Sequence, residues 1–233
     1  LFVLNSPSNP TGAAYTVAEL VGLAEVLREH PKVFIVTDDM YEHIYWADEP
    51  FSTFLNAAPD LYERTLTMNG VSKAYAMTGW RIGYVGGPQG VVAAMRKIQS
   101  QSTSNPCSIA QHAALAALSG DQACVGEMLE AFKARHDYLV DALNALPGFR
   151  CVPGAGTFYA FPDVSAVIAA MDGVSNDVEL AEYLLEKAGV AVVPGTAFGA
   201  PGHIRLSFAC GLDTLEDAIG RIGAALPAAA AAS

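Results

Sequence analysis

Lys73 lies inside NGVSKAYAMTGWRIGY, residues 69–84, followed by Ala74, Tyr75, Ala76 and Met77, with Arg81 eight residues further on. A lysine in so apolar a setting is rarely left without a partner or a shifted proton affinity. A buried amine with lowered proton affinity is the nucleophile needed to form an imine with a carbonyl group. Other polar groups stand at comparable places along the chain: the amide of Asn9 in NPTG, the carboxylate of Asp38 and the phenol of Tyr41. Taken singly, each has a plain structural reading. Asn9-Pro10 and Thr11-Gly12 suit a turn, Asp38 a helix cap, Tyr41 ordinary packing and Arg81 half of an ion pair. GAGTFY, with Gly154 and Gly156, looks superficially like a phosphate loop. It lacks a third glycine and a strand-to-helix setting, so it reads as a turn.

The elements that must position these groups can be read from the hydrophobic pattern. LFVL opens the chain as a strand already under way, and the polar loop NSPSNPTG follows. Thr16 and Glu19 have the spacing of a capping box ahead of a helix whose Leu20, Leu23 and Leu27 share one face. Val33 to Thr37 reads as a second strand, so strand, helix and strand form a βαβ unit of a parallel sheet. Residues 65–70 and 81–87 supply two more strands around the Lys73 loop. In open α/β sheets ligands bind outside the carboxyl ends of the strands. Asn9, Asp38, Tyr41, Lys73 and Arg81 all fall at that edge.

Helices are expected over residues 88–100, 108–118 and about 121–146. After Pro147, short strands at FRCV, TFYAFP, VAVVP and HIRLSFA alternate with helices at DVELAEYLLEKAG and DTLEDAIGRIGAAL. The expected organisation is therefore α/β. Residues 1–120 carry a mostly parallel sheet, and residues 121–233 form an α+β second domain joined through the long helix. The terminal AAAAAS is expected to fray. The opening strand and the lack of an initiating Met suggest the C-terminal part of a longer chain.

Composition narrows the function classes. With 52% apolar and 16% charged residues, the 233-residue chain suits a soluble, packed protein. A formal net charge of −11 argues against a nucleic-acid partner. No apolar run is long enough for a membrane-spanning helix. Cys107, Cys124, Cys151 and Cys210 are scattered, as in a reduced cytoplasmic protein. The five histidines have no metal-binding spacing, so no metal site is expected.

NPTG, then DDMY, then GVSKAYAMTGWRIG, then HIRLSFA resembles the fold-type I pyridoxal-phosphate aminotransferases of class I and II. The branch it is most similar to is the aspartate/aromatic one. The resemblance runs in order across essentially the whole chain. It implies that Lys73 is the cofactor-bearing lysine and proton carrier, and that Asp38 pairs with the pyridine nitrogen. It implies further that Tyr41 and Asn9 bond the ring's phenolic oxygen, Arg81 the phosphate and Arg205 the substrate α-carboxylate. Asn9 would also contact substrate. The resemblance also implies pyridoxal 5'-phosphate as cofactor, an amino acid and a 2-oxo acid such as 2-oxoglutarate as substrates, and a homodimer when complete.

Gly195 in VVPGTAFG would face the active site, although a turn glycine serves the same pattern. One departure concerns Gly70, where many relatives carry a phosphate-contacting Ser or Thr. A β-elimination lyase or synthase, a cofactor-binding sensor domain and an inactive remnant remain as alternatives.

Overall fold

A computed structural model describes residues 1–227; the AAAAAS segment lies outside them. The chain divides into two compact units, residues 1–8 with 13–129, and residues 9–12 with 130–233.

In the first unit, β1 (Phe2–Asn5) is followed by α1 (Val17–Glu29) and then β2 (Ile35–Asp38). A short helix α2 (Phe54–Ala57) precedes β3 (Thr65–Gly70) and β4 (Gly83–Gly86). The strands lie in the order β1-β2-β3-β4, the first three parallel and β4 antiparallel to β3. The capping box at the start of α1 is formed: the Thr16 amide donates to Glu19 Oε2 at 2.8 Å, and the Glu19 amide donates to Thr16 Oγ1 at 3.3 Å. At its other end, Arg64 donates to the carbonyls of His30 and Val33 at 2.8 and 2.9 Å and also to that of Leu27. One guanidinium thereby adds charged donors to the carbonyls at the end of the helix and ties in Val33 beyond it. Leu20, Ala24 and Leu27 of α1 bury against Leu4, Ile35, Phe54, Ala58 and Leu61. Each large side chain so removed from water contributes roughly 1.5–3 kcal/mol.

Three helices follow: α3 (Gln89–Ser102), α4 (Ser108–Ser119) and α5 (Ala123–Asn144). The second unit has a three-stranded sheet of β5 (Tyr159–Ala160), β6 (Val193–Pro194) and β7 (Ile204–Ser207), with β7 central and antiparallel to both neighbours. Its helices are α6 (Ser165–Ala170), α7 (Asp177–Tyr183) and α8 (Leu212–Ala225). The large side chains fully buried in this unit include Leu139, Leu143, Leu180, Leu184, Ile204, Phe208 and Ile222.

Several expectations need correction. FRCV forms no strand; only Arg150 bridges, to Asp163. The reason is Asn144, whose amide group accepts from the Cys151 N–H at 2.8 Å and donates to the Cys151 carbonyl at 2.9 Å. Those backbone groups are therefore not available to a ladder. The helix expected through residue 189 ends as α at Tyr183 and continues as a wider turn over Leu184–Ala188, closed by Gly189 at φ 66°. Arg81 and Ile82 lie ahead of β4 rather than within it, and Asp38 is the last residue of β2 rather than beyond it. Lys73 is half-buried, not buried; its neighbours Val71 and Ala74 take the interior positions.

Candidate active site

In the first unit, four of the singled-out residues stand at one edge of the sheet. Asp38 ends β2 in register with Asn5 of β1 and Met68 of β3, and its carbonyl accepts from Asn5 Nδ2 at 3.1 Å. Beyond it the chain turns: the Asp39 amide still reaches the Met68 carbonyl at 2.9 Å, and the Glu42 amide returns to the Asp39 carbonyl at 3.0 Å. That turn buries Tyr41, which is only 4% exposed. Lys73 sits in the turn after β3, where the Ala76 amide donates to its carbonyl at 3.2 Å. Its Nζ lies 5.9 Å from the centroid of the Tyr41 ring, so the structure brings this amine and this phenol together. The antiparallel pairing of Gly70 with Gly83 brings the start of β4 to the end of β3. Arg81, two residues earlier, is thus delivered to the same edge. It has left-handed backbone, φ 50°, and its Nη1 donates to the Thr78 carbonyl at 2.9 Å.

Gly70 has a packing reason for its lack of a side chain. A Cβ there would come within 3.1 Å of Gly83 Cα, the Ile82 carbonyl and the Met40 methyl group. The seam where β3 meets β4 leaves little room for any larger side chain.

Asp39 is the residue here that the sequence reading passed over. It is 4% exposed, and burial pushes its carboxyl up to about 7, with Glu42 and Asp38 adding to the effect and the Thr37 hydroxyl opposing it. The hydroxyl does not complete a bond: among the described residues, neither Thr37 Oγ1 nor Asp39 Oδ2 has a hydrogen-bond partner. Glu42 accepts from Asn69 Nδ2 at 2.7 Å. Adjacency to Asp38 was the only available signal for Asp39, because two aspartates in a row do not reveal which one a turn will bury.

The remaining two expected residues meet in the second unit. Arg205 Nη1 donates to Asn9 Oδ1 at 2.8 Å. The guanidinium carbon lies 4.4 Å from the Tyr159 ring centroid and 5.0 Å from that of Phe198. In β7 the alternation of a strand buries Ile204 and Leu206 and turns Arg205 to the other face. Its Nε is buried and, among the described residues, has no hydrogen-bond partner. A planar guanidinium held between aromatic rings with an unsatisfied buried N–H suits a carboxylate.

Phe198 is presented by the loop after Gly195. A Cβ on Gly195 would fall on the Ala200 carbonyl and within 2.7 Å of the His203 carbonyl. Asp177, 1% exposed, anchors that loop: it accepts from the Thr196 amide at 2.7 Å, the Thr196 hydroxyl at 2.8 Å and the Gly202 amide at 3.3 Å. Burial pushes its carboxyl up, but these bonds outweigh it and hold the group below its ordinary value. In the sequence Asp177 is only the first residue of a helix, and nothing there foretells its second task.

The donor set has the chemistry that pyridoxal phosphate requires: an amine, a carboxylate, a phenol, an amide and a guanidinium. The family model for aminotransferase class I and II matches residues 1–222. An aspartate/prephenate aminotransferase of Nitrosomonas europaea is 54% identical over 231 residues, covering 97% of this chain and 58% of the relative. One of Cereibacter sphaeroides is 53% identical, covering 96% and 57%. The crystal structure of the aspartate aminotransferase from Rhizobium meliloti superimposes with a TM-score of 0.91 at 48% identity, over 96% of this chain and 57% of that one. A Pyrococcus horikoshii aromatic aminotransferase gives a TM-score of 0.87 at 34% identity, covering 95% and 58%. The chain thus spans a little over half the length of the curated relatives it matches, and its mixed α/β architecture is the corresponding part of their fold.

Proposed function

The chain belongs to the class I and II aminotransferases, and from that premise we propose that the whole protein transfers the amino group of aspartate, or a similar amino acid, to a 2-oxo acid. The observation that carries this reading is Lys73, whose amine stands 5.9 Å from the Tyr41 ring at the end of the sheet. Members of the aspartate aminotransferase family depend on pyridoxal phosphate. When bound, the cofactor supplies the carbonyl that takes up the amino group and the electron sink that makes the substrate Cα–H acidic.

The chain's own residues divide the remaining work. Lys73 attaches the cofactor and, once free, takes the proton from Cα and returns it on the other side of the transfer. Asp38 holds the proton on the ring nitrogen, which keeps the sink effective. Tyr41 and Asn9 bond the ring's phenolic oxygen, and Arg81 takes the phosphate. Arg205 binds the substrate α-carboxylate with its planar fork, and the spare Nε–H favours this role over a purely structural one. Residues 1–120 then serve as the cofactor-holding part of a large domain, and residues 121–233 as the substrate-gripping small one.

The relatives' names extend to prephenate, itself a 2-oxo acid with a second carboxylate, so we include it with 2-oxoglutarate among the acceptors to be tested. A homodimer fits the large apolar side chains left exposed on α3 and α4, among them Ile98 (71%), Ile109 (67%) and Leu115 (61%). Free cysteines at all four positions fit a reducing cytoplasm. Among the described residues, no helix is long and apolar enough to cross a membrane.

The deciding experiment supplies the complete protein with pyridoxal phosphate, aspartate and each acceptor in turn. Oxaloacetate together with the aminated acceptor is the expected result. In a parallel assay with serine, whose β-hydroxyl can leave, pyruvate accompanied by free ammonia would instead indicate an eliminating lyase.

A further inference from the structure

GAGTFY reads in the sequence as a turn, and of it only Tyr159, beside Arg205, enters the site described above. In the structure it is a seat. The Ala155 and Gly156 amides both donate to the Gly12 carbonyl, at 2.8 and 3.1 Å. Gly12 has φ 70°, and a Cβ on it would come within 2.9 Å of the Gly156 carbonyl; one on Gly154 would come within 3.1 Å of Gly12 Cα. Two backbones therefore touch with no side chain between them. Gly12 closes the loop that begins at Asn9, and Asn9 Oδ1 is the acceptor for Arg205. The base of that loop is pinned separately, where the Ser8 amide donates to the Ala13 carbonyl at 2.8 Å.

The seat is itself held by a side chain. The Gly154 amide donates to Nε2 of His136 at 3.0 Å. Accepting at Nε2 places the proton of a neutral ring on Nδ1, which faces Asp137 Oδ1 at 3.0 Å. That contact is accordingly a hydrogen bond and not an ion pair, and Asp137 has its own cation in Lys133 at 2.5 Å. His136 is 4% exposed and meets the edge of Phe208 at 6.0 Å between ring centroids. Its ring is therefore fixed in position and in tautomer, with Nε2 accepting from the Gly154 amide.

We propose that His136 is a positioning residue for the α-carboxylate grip, acting through Gly154 and Gly12 to set Asn9 on Arg205. The inference rests on the functional reading above and adds a residue to it. Losing the Nε2 acceptor frees the 154–156 seat, lets the Asn9 loop drift and leaves Arg205 without its fixed acceptor. Substrate binding then weakens for every amino acid alike, because the α-carboxylate is common to all of them. Lys73, Asp38, Tyr41 and Arg81 stand on other elements, so kcat, which feels only the looser Asn9 contact to the ring, changes less than KM.

The test uses the complete, cofactor-loaded protein, with His136→Leu, which removes the acceptor, and His136→Gln, whose Oε1 can accept in its place. Two readouts are needed: steady-state KM and kcat with aspartate, and calorimetric binding of maleate, a dicarboxylate with no amino group to transfer. The expected result for His136→Leu is a rise of about tenfold in both KM and the maleate Kd, about 1.4 kcal/mol, with kcat within about twofold of the parent. His136→Gln should recover most of the loss. A parent that transaminates while His136→Leu keeps parental KM and maleate binding overturns the inference and leaves the functional reading standing. So does a loss confined to kcat, or one that Gln fails to rescue. A parent that neither transaminates nor binds maleate removes the functional reading and this inference with it. Should His136→Leu fail to fold, Gly154→Ala disturbs the same contact from the loop side, and unchanged maleate binding in that variant is equally fatal.

Discussion

Asp39 carries the energetic cost of a buried carboxyl. Its carboxyl is raised to about 7 in the folded protein, chiefly by burial. A group raised on folding favours the native state fully at pH values below its unfolded pKa, and this contribution is lost as pH climbs through the folded value. For Asp39 the window runs from about pH 4 to 7, and the loss across it is on the order of 3–4 kcal/mol. Asp39→Asn removes the titration while keeping the shape. Thermal unfolding of the complete protein at pH 5 and 8 should show a smaller fall in Tm for the variant than for the parent, with the variant the more stable at pH 8. Parallel pH dependences would mean that Asp39 is not the buried proton-holder. Lys73→Ala belongs to the same scale: transamination should vanish while circular dichroism and Tm stay near parental values. Residual turnover at the parental rate would remove Lys73 from the mechanism.

Among the elements, the loop over residues 195–203 shows how a single carboxylate can govern a segment. Asp177 accepts three hydrogen bonds from it, and their loss leaves partly buried donors without their charged acceptor. Asp177→Ala should cost on the order of 2–3 kcal/mol of stability, since bonds to a charged acceptor are among the stronger ones, and urea unfolding would measure it. The same substitution frees Phe198 from the face of Arg205, so KM should rise along with the loss of stability. An unaltered urea midpoint would show that the loop is held by other contacts. The end of α1 gives a smaller, cleaner case. Thr16→Ala removes one half of a capping box on an exposed surface and should cost about 1 kcal/mol, with no effect on KM.

For the whole molecule, the carboxyl edge of the sheet and Arg205 belong to different compact units. The function proposed here needs both. Arg205→Ala in the complete protein should raise KM for all amino acids by a factor equivalent to roughly 2–5 kcal/mol. A defect limited to dicarboxylic substrates would make Arg205 a side-chain selector instead. Parallel strands are normally covered on both faces, yet Val3 is 61% exposed and Met68 38%. With the exposed apolar residues of α3 and α4, this surface calls for further protein, either the additional length that the relatives possess or a second subunit. Sedimentation of the complete protein at micromolar concentration should give a dimer, and a monomer would refute that assembly.

What was legible from the chain alone follows from the range of the forces involved. The capping box at Thr16 and Glu19, the strand at residues 65–70 and the helices α3 to α5 depend on neighbours a few residues apart, and local pattern reports them well. The Lys73 segment was legible because its chemistry is unusual: an amine amid apolar residues, followed by a guanidinium, at the end of a strand. Tertiary structure decided the rest, because long-range partners compete for the same backbone groups. Asn144 took the Cys151 backbone out of the expected strand, and the close approach of Gly12 to Gly154 turned a supposed plain turn into a seat for the Asn9 loop. The choice between Asp38 and Asp39 was made in the same way. Two adjacent carboxylates are equivalent on paper, and only the turn after β2 determines which of them loses its water.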